Sequence, residues 1–288
     1  MDFITTLVNG LSLGGIYAMI ALGYTMVYGI AKMLNFAHGD IIMVGGYAIL
    51  VFLSVNPVLA IIFSVIFCAV LGICVEKAAY KPLRGASPLA VLITAIGVSY
   101  LLQSLAQIIF GAAPKYVIIA ELGNLTVGEL SISYGTIITL AASLVIMVAL
   151  SLFVKLTKTG RAMIAVSEDK DAARLMGINI NFIITLTFAI GSALAALAGL
   201  FSLLRVPTIM PTYGALPGIK AFTAAVIGGI GSIPGAMLGG VLLGIVECIC
   251  NSIPAVAPYT IAIEFSILIV ILLVKPTGIL GKKRREKV

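Results

Sequence analysis

Val58-Leu59-Ala60-Ile61-Ile62-Phe63-Ser64-Val65-Ile66-Phe67-Cys68-Ala69-Val70-Leu71-Gly72-Ile73-Cys74-Val75 runs for eighteen residues without a charge. About 20 mainly apolar residues cross the roughly 30 Å of bilayer hydrocarbon at 1.5 Å rise per helical residue. The run is continuously apolar rather than alternating, which excludes the strand of a membrane barrel. Similar runs recur at about 5–30, 40–55, 58–76, 89–110, 135–154, 181–203, 219–230, 235–250 and 259–275, parted by Pro, Gly and charged residues. Of 288 residues, 61% are hydrophobic and 10% charged, where a soluble domain carries about 25% charged. A soluble surface cannot cover that much apolar side chain. A soluble enzyme, a nucleic-acid reader, a disordered chain and a disulfide scaffold are therefore excluded. The expected fold is all-α: one polytopic integral membrane helical bundle over residues 1–288, with eight or nine spans.

The short runs 219–230 and 235–250, separated by Gly231-Ser232-Ile233-Pro234-Gly235, read either as two short spans or as a broken-helix pair forming a re-entrant hairpin. Charge orients the chain. The net charge is +7, and Lys and Arg favour the cytoplasmic side of short loops. If both short runs cross, 15 of the 18 basic residues fall on one side. These are Lys32, the loops 77–88 and 155–174, Lys275 and the run Lys282-Lys283-Arg284-Arg285-Glu286-Lys287. Lys115, Arg205 and Lys220 fall on the other side, with Met1. The C-terminus is expected in the cytoplasm. The first run starts Met1-Asp2-Phe3 without a basic region and reads as a retained span rather than a signal peptide.

Gly10/Gly14, Gly231/Gly235, Gly235/Gly239 and Gly240/Gly244 are small-xxx-small pairs. They let helix backbones approach closely in lipid. Cys68, Cys74, Cys248 and Cys250 all lie in apolar runs and read as small apolar filler. Phe36-Ala37-His38-Gly39-Asp40-Ile41-Ile42-Met43-Val44-Gly45-Gly46 loosely echoes Phe222-Thr223-Ala224-Ala225-Val226-Ile227-Gly228-Gly229. The two segments run in opposite senses, as in an inverted repeat.

The sequence holds no catalytic constellation. Its one histidine, His38, has no cysteine nearby, and no G-x-x-x-x-G-K-[ST] phosphate loop occurs. No cofactor, metal or nucleic-acid partner is expected, and ATP, if used, is bound by another polypeptide. The most informative stretch is Thr159-Gly160-Arg161-Ala162-Met163-Ile164-Ala165-Val166-Ser167-Glu168-Asp169-Lys170-Asp171-Ala172-Ala173-Arg174-Leu175-Met176-Gly177-Ile178. Gly160 and Gly177 bracket a short helix. Ala162, Ala165, Val166, Ala172, Ala173 and Met176 recur at three- and four-residue steps on one face. The stretch reads as a docking element in a cytoplasmic loop at 155–180, against a solvated linker.

This loop resembles the coupling segment of membrane subunits in bacterial ATP-binding-cassette importers. The run from Gly14 to Gly29, then Asn35-Phe36-Ala37-His38-Gly39, and Gly228-Gly229-Ile230-Gly231-Ser232-Ile233-Pro234-Gly235-Ala236 are similar to the LivH-type permease subunits of branched-chain amino acid importers. The resemblance implies alternating access in a bacterial inner membrane. Its partners would be a second related permease subunit or a copy of the same chain, two cytoplasmic ATPase subunits and an extracytoplasmic substrate-binding protein. Gly160, Arg161, Ala165, Glu168, Asp169, Ala172 and Gly177 match the coupling pattern. Relatives with this pattern also carry urea or short amides.

Ionisable residues within spans default to functional hypotheses. Glu247 and Glu264 read as path lining or as structural hydrogen bonds, in the outer half. Tyr17, Asn35 and His38 join them as candidate path residues. Asn35 and Asp40 also suit a helix cap, and Tyr17, Tyr24 and Tyr28 suit core packing. Two other classes remain open: a secondary transporter coupling protons through Glu247, Glu264 or His38, and an oligomeric channel with a filter at 231–235.

Overall fold

A computed structural model describes residues 3–120, 122–127 and 130–281. Among them the helices are α1 (Phe3–Ala31), α2 (His38–Phe52), α3 (Pro57–Val75), α4 (Pro88–Phe110), α5 (Tyr134–Leu156), α6 (Lys158–Glu168), α7 (Lys170–Leu175), α8 (Ile180–Arg205), α9 (Ala215–Gly228), α10 (Ile233–Ser252) and α11 (Thr260–Val274). Four short strands, β1 (Lys115–Tyr116), β2 (Asn124–Val127), β3 (Leu130–Ser133) and β4 (Thr208–Ile209), form the antiparallel pairs β1–β4 and β2–β3. Seven helices are long and apolar enough to cross a membrane, and α2 and α9 are shorter apolar helices. The chain is a multi-pass membrane protein of the all-α class.

Contacts sort the loops into two ends. At one end, Lys170 Nζ donates to Ala31 O at 3.2 Å, Arg84 donates to Asn181, Gly231 meets Gly29, and Ile279 and Leu280 donate backbone N–H to Ile227 and Gly228. At the far end β1 pairs with β4, and Arg205 donates to Asn9 O at 3.3 Å. The loops after α1, α3, α5, α9 and α11 therefore share one end, which holds Lys32, Lys77, Lys81, Arg84, Lys158, Arg161, Lys170, Arg174 and Lys275. Met1 and the run 282–287 lie outside the described residues.

The interrupted pieces differ from the expectation. The pair of short helices is α2 and α9, not 219–230 and 235–250. Pro234 sits in the first turn of α10, where its missing N–H costs nothing, so α10 reaches the full 20 residues. α9 begins at Ala215, before Pro217, for the same reason, and stops at Gly229 with φ 110°. Neither short helix spans the bilayer alone. His38, at the start of α2, lies against Gly23, which is well up α1 from Lys32. Residues 32–37 therefore climb back into the bundle before α2 begins. Lys32 turns the chain with φ 61°, the sole non-glycine residue with positive φ among those described. At the other side residues 206–214 descend from the far end, and Gly214 and Gly218 then pack on Gly39.

Packing is reciprocal. α1 lies along α10 and α9, as α8 lies along α3 and α2; α2 sits against α3 and α4, as α9 sits against α10 and α11. The four-helix units α1–α4 and α8–α11 run in opposite senses, an inverted repeat. The equivalence is α2 with α9, start to start, so the loose echo of 36–46 in 222–229 has the wrong register; Phe36 and Phe222 instead touch, with ring centroids 5.5 Å apart.

Residues 14–27 of α1 are all buried, so this helix is enclosed on every side. Small residues permit that. A Cβ on Gly14 would lie 2.7 Å from Val241 Cα, and Gly240 and Gly244 of α10 abut Ala18 and Gly14 of α1. The four cysteines are free thiols. We expect Gly244→Val to force α1 from α10 and lower the melting temperature of the detergent-purified chain, by an overpacking cost of about 1–3 kcal/mol. Gly97→Ala, where nothing lies within 4 Å of the added carbon, is expected to leave it unchanged or higher.

Candidate functional site

The centre of the second repeat holds charge. Lys220 of α9 places Nζ 2.8 Å from Glu247 Oε1 of α10 and 3.2 Å from Glu264 Oε2 of α11. Tyr17 of α1 donates its hydroxyl to Glu247 Oε2 at 2.7 Å. Tyr17 lies fifteen residues before Lys32, about 22 Å along the helix axis, so the cluster sits deep in the bundle. Four helices meet at it. The side chains of Lys220, Glu247 and Glu264 are 10%, 14% and 1% exposed. Counting Lys220 as an outer loop cation is thereby corrected: a lysine whose ammonium meets two carboxylates can stay inside, where an unpaired one cannot. Of the candidate path residues, Tyr17, Glu247 and Glu264 come together here, and Lys220 is the member that reading single charges missed. A basic residue within a short apolar helix, with two acids in later helices, was the available signal.

Asn35 and His38 stand elsewhere, near the start of α2. Tyr80 donates its hydroxyl to Asn35 Oδ1 at 2.8 Å. His38 is 1% exposed, edge-on to Tyr24 with centroids 4.8 Å apart. Gln103 of α4 donates to Asp40 Oδ1 at 2.8 Å. α2 starts after Ala37 without a side-chain cap bond: Asn35 is engaged by Tyr80, and Asp40 by Gln103 and by its own backbone N–H. Tyr24 packs among His38 and Phe222, in line with the core-packing expectation.

A second acid is buried at the basic end. Glu76 is fully buried, pairs with Arg84 and accepts from Thr185 Oγ1 at 2.8 Å. Arg84 also donates to Asn181. The pair ties the α3–α4 connection to α8.

The projecting loop is two helices rather than one. Thr157 caps α6, its hydroxyl accepting from Gly160 N at 2.9 Å. Asp169 breaks the run with φ −150° and caps α7, accepting from Asp171 N and Ala172 N at 3.0 Å each. Gly177, with φ 80°, ends α7, and Ile178 N reaches back to Ala173 O at 3.0 Å, closing a Schellman turn. Gly160 does not bracket the helix. It lies inside α6, where the Phe153–Val154 backbone leaves no room for a side chain. Met163, Val166 and Ala173 are buried, and Ala162 and Ala165 are half-buried. Ala172 and Met176 face outward instead, because α7 departs on a new axis after Asp169. Leu175 is 90% and Met176 82% exposed, with Arg161, Glu168 and Arg174 also exposed. Lys170 reaches the opposite way, capping the last carbonyl of α1 at Ala31. Burial, and after it the charge of Arg84, holds the Lys170 ammonium below the ordinary lysine pKa.

Comparison with known proteins places these features in a family. The model described as branched-chain amino acid transport system / permease component matches residues 6–273. The chain is 43% identical to the high-affinity branched-chain amino acid transport system permease protein BraD of Pseudomonas aeruginosa, over 99% of this chain and 98% of that one. It is 40% identical to LivH of Salmonella typhimurium over the same shares. It is 29% identical to a probable LivH of Methanocaldococcus jannaschii, over 91% of this chain and 88% of that one.

Removing one partner of a buried ion pair costs about 3–5 kcal/mol. We expect Lys220→Met to destabilise the purified chain by about that amount in thermal unfolding. Adding Glu247→Gln and Glu264→Gln to Lys220→Met is expected to recover most of the loss, as a triple-mutant cycle would register.

Proposed function

The chain belongs to the branched-chain amino acid transport system permease component family, and we propose that it is the membrane subunit of an ATP-driven importer for branched-chain amino acids. It acts without catalysing a reaction and binds no cofactor. ATP is bound and hydrolysed by two cytoplasmic ATPase subunits. A second related permease subunit completes the membrane part, and an extracytoplasmic binding protein delivers the substrate. The names of BraD and LivH, with near full-length matches, support the substrate class. The positive-inside rule supports an inner-membrane orientation with the basic end and the C-terminus in the cytoplasm.

One observation carries the motor-driven reading. The α6–α7 stub stands at the basic end and turns two large apolar side chains, Leu175 and Met176, outward from the bundle. Exposed apolar side chains at the end of such a stub suit a surface that another protein covers. Gly160, Arg161, Ala165, Glu168, Asp169, Ala172 and Gly177 build and present this stub: Gly160 by close approach to α5, Asp169 by capping, Gly177 by termination. Lys170 links it to α1, so motion of the ATPases reaches the helix at the heart of the bundle. The transport step is a two-state equilibrium biased by nucleotide and by the loaded binding protein. Tyr17, Glu247, Glu264 and Lys220 flank the path in the second repeat, and Asn35 and His38 lie near the first broken helix. A largely apolar substrate needs few fixed charges along its way, and selectivity rests with the binding protein.

Reconstitution tests this. The chain alone in liposomes is expected to take up no leucine under a proton gradient. Uptake is expected once the second permease, the ATPases with ATP inside and the binding protein outside are supplied. Proton-driven uptake by the lone chain would overturn the reading in favour of a secondary transporter. In the same system Leu175→Asp and Glu168→Arg are expected to abolish ATPase co-purification and uptake while the melting temperature stays at the wild-type value.

A further inference from the structure

The face made by α2, α3 and α4 carries a groove with no part in the transport reading. Its cavity of about 320 Å³ is lined by Tyr47, Phe52, Phe67, Leu71, Leu102 and Phe110, among others. That volume lies within the range of ligand sites, about 300–1,000 Å³. The walls are residues 44–52, 63–71 and 102–110. Each stretch rises about 12 Å, close to the roughly 15 Å of hydrocarbon in one leaflet, half of the core thickness. The rim residues Phe63, Phe67, Leu105 and Ile109 are 38–68% exposed, so the groove opens sideways, where acyl chains lie.

One polar side chain stands in this wall and a second stands beside it. Tyr47 is 3% exposed, and its hydroxyl has no hydrogen-bond partner. That hydroxyl is closed off from the groove, so the wall the groove presents is apolar. The Tyr47 ring stacks on Phe110 at 4.3 Å. Over the other part of the Phe110 environment stands Lys115, with Nζ 5.9 Å from that ring's centroid. No carboxylate among the described residues pairs with Lys115. Phe110 ends α4 at the far end of the bundle, opposite α6 and α7, so this ammonium stands where headgroups begin.

We propose that the groove holds one acyl chain of an anionic phospholipid, whose phosphate rests on Lys115. The slot supplies affinity by excluding the chain from competing contacts, and Lys115 supplies the headgroup preference. An acyl chain fits a cleft that is one leaflet deep and open along its side. The lipid is bound in the leaflet opposite the α6–α7 stub. This inference is independent of which solute the chain carries.

Native mass spectrometry of the intact complex, titrated with palmitoyl-oleoyl phosphatidylglycerol and with the phosphatidylcholine of the same chains, provides the test. We expect one phosphatidylglycerol to be retained in preference. Lys115→Glu is expected to reduce that preference about fivefold or more, since one basic side chain at an anionic surface is worth about that factor. Ala106→Phe is expected to displace both lipids by filling the slot. Equal retention of the two lipids by the wild type, or no effect of Lys115→Glu, would overturn the proposal. So would a photo-reactive group at Leu105 that captures the second permease subunit instead of lipid. Lys115 lies in a surface strand outside the helical core, so the Lys115→Glu arm stands even if Ala106→Phe fails to fold.

Discussion

The bundle depends on how closely α1 can approach its neighbours in a solvent that gives apolar helices no reason to associate. Lipid tails are as apolar as leucine, so association rests on van der Waals contact and on hydrogen bonds between helices. Gly14, Gly240 and Gly244 supply the contact, bringing α1 and α10 to backbone distance. Once α1 is enclosed over residues 14–27, a polar side chain there places a demand for a partner on the neighbouring helices. Tyr17 meets that demand at Glu247, and Glu247 in turn draws in Lys220 and, through it, Glu264. The charged cluster is thus a consequence of the packing as much as an addition to it.

Sharing one ammonium between two carboxylates constrains movement. Coulomb attraction grows as the dielectric falls, and so does the cost of separating the partners. A rearrangement that slides α9 away from α10 and α11 must re-solvate three ionisable groups, whereas one that moves α9, α10 and α11 together need not. The Glu76–Arg84 pair places a similar restraint between the α3–α4 connection and α8. Both ties also join the two repeats, one deep in the bundle through Tyr17 and one at the basic end through α8. Concerted motion of the two units is the inexpensive kind.

The long spans were legible because lipid imposes a single rule on them: about 20 apolar residues in a row. The glycine pairs were legible for the same reason, since close approach has one residue that suits it best. Other features were hidden where one residue type serves two physical ends. Lysine at 220 looked like a loop marker because positive charge usually reports the side of a membrane; only the folded chain brings Glu247 and Glu264 within reach of it. Gly160 looked like a helix boundary, yet it is needed for space. Pro234 looked like a break, yet it occupies a first turn that tolerates it. The climb at 32–37 had no marker, because Met33, Leu34 and Phe36 suit an extended segment inside the bundle as well as they suit a helix. Asn35 and Asp40 had the chemistry of caps, and their partners Tyr80 and Gln103 lie 45 and 63 residues away.

The hydrogen bond from Lys170 ends on the carbonyl of Ala31, and the next residue is Lys32, held at φ 61°. A side-chain-bearing residue in that region sits above its torsional minimum, by roughly 1–2 kcal/mol. A load applied to α7 is therefore delivered at the C-terminal end of α1, beside the residue that turns the chain. The stretch that follows this turn is the ascent into α2.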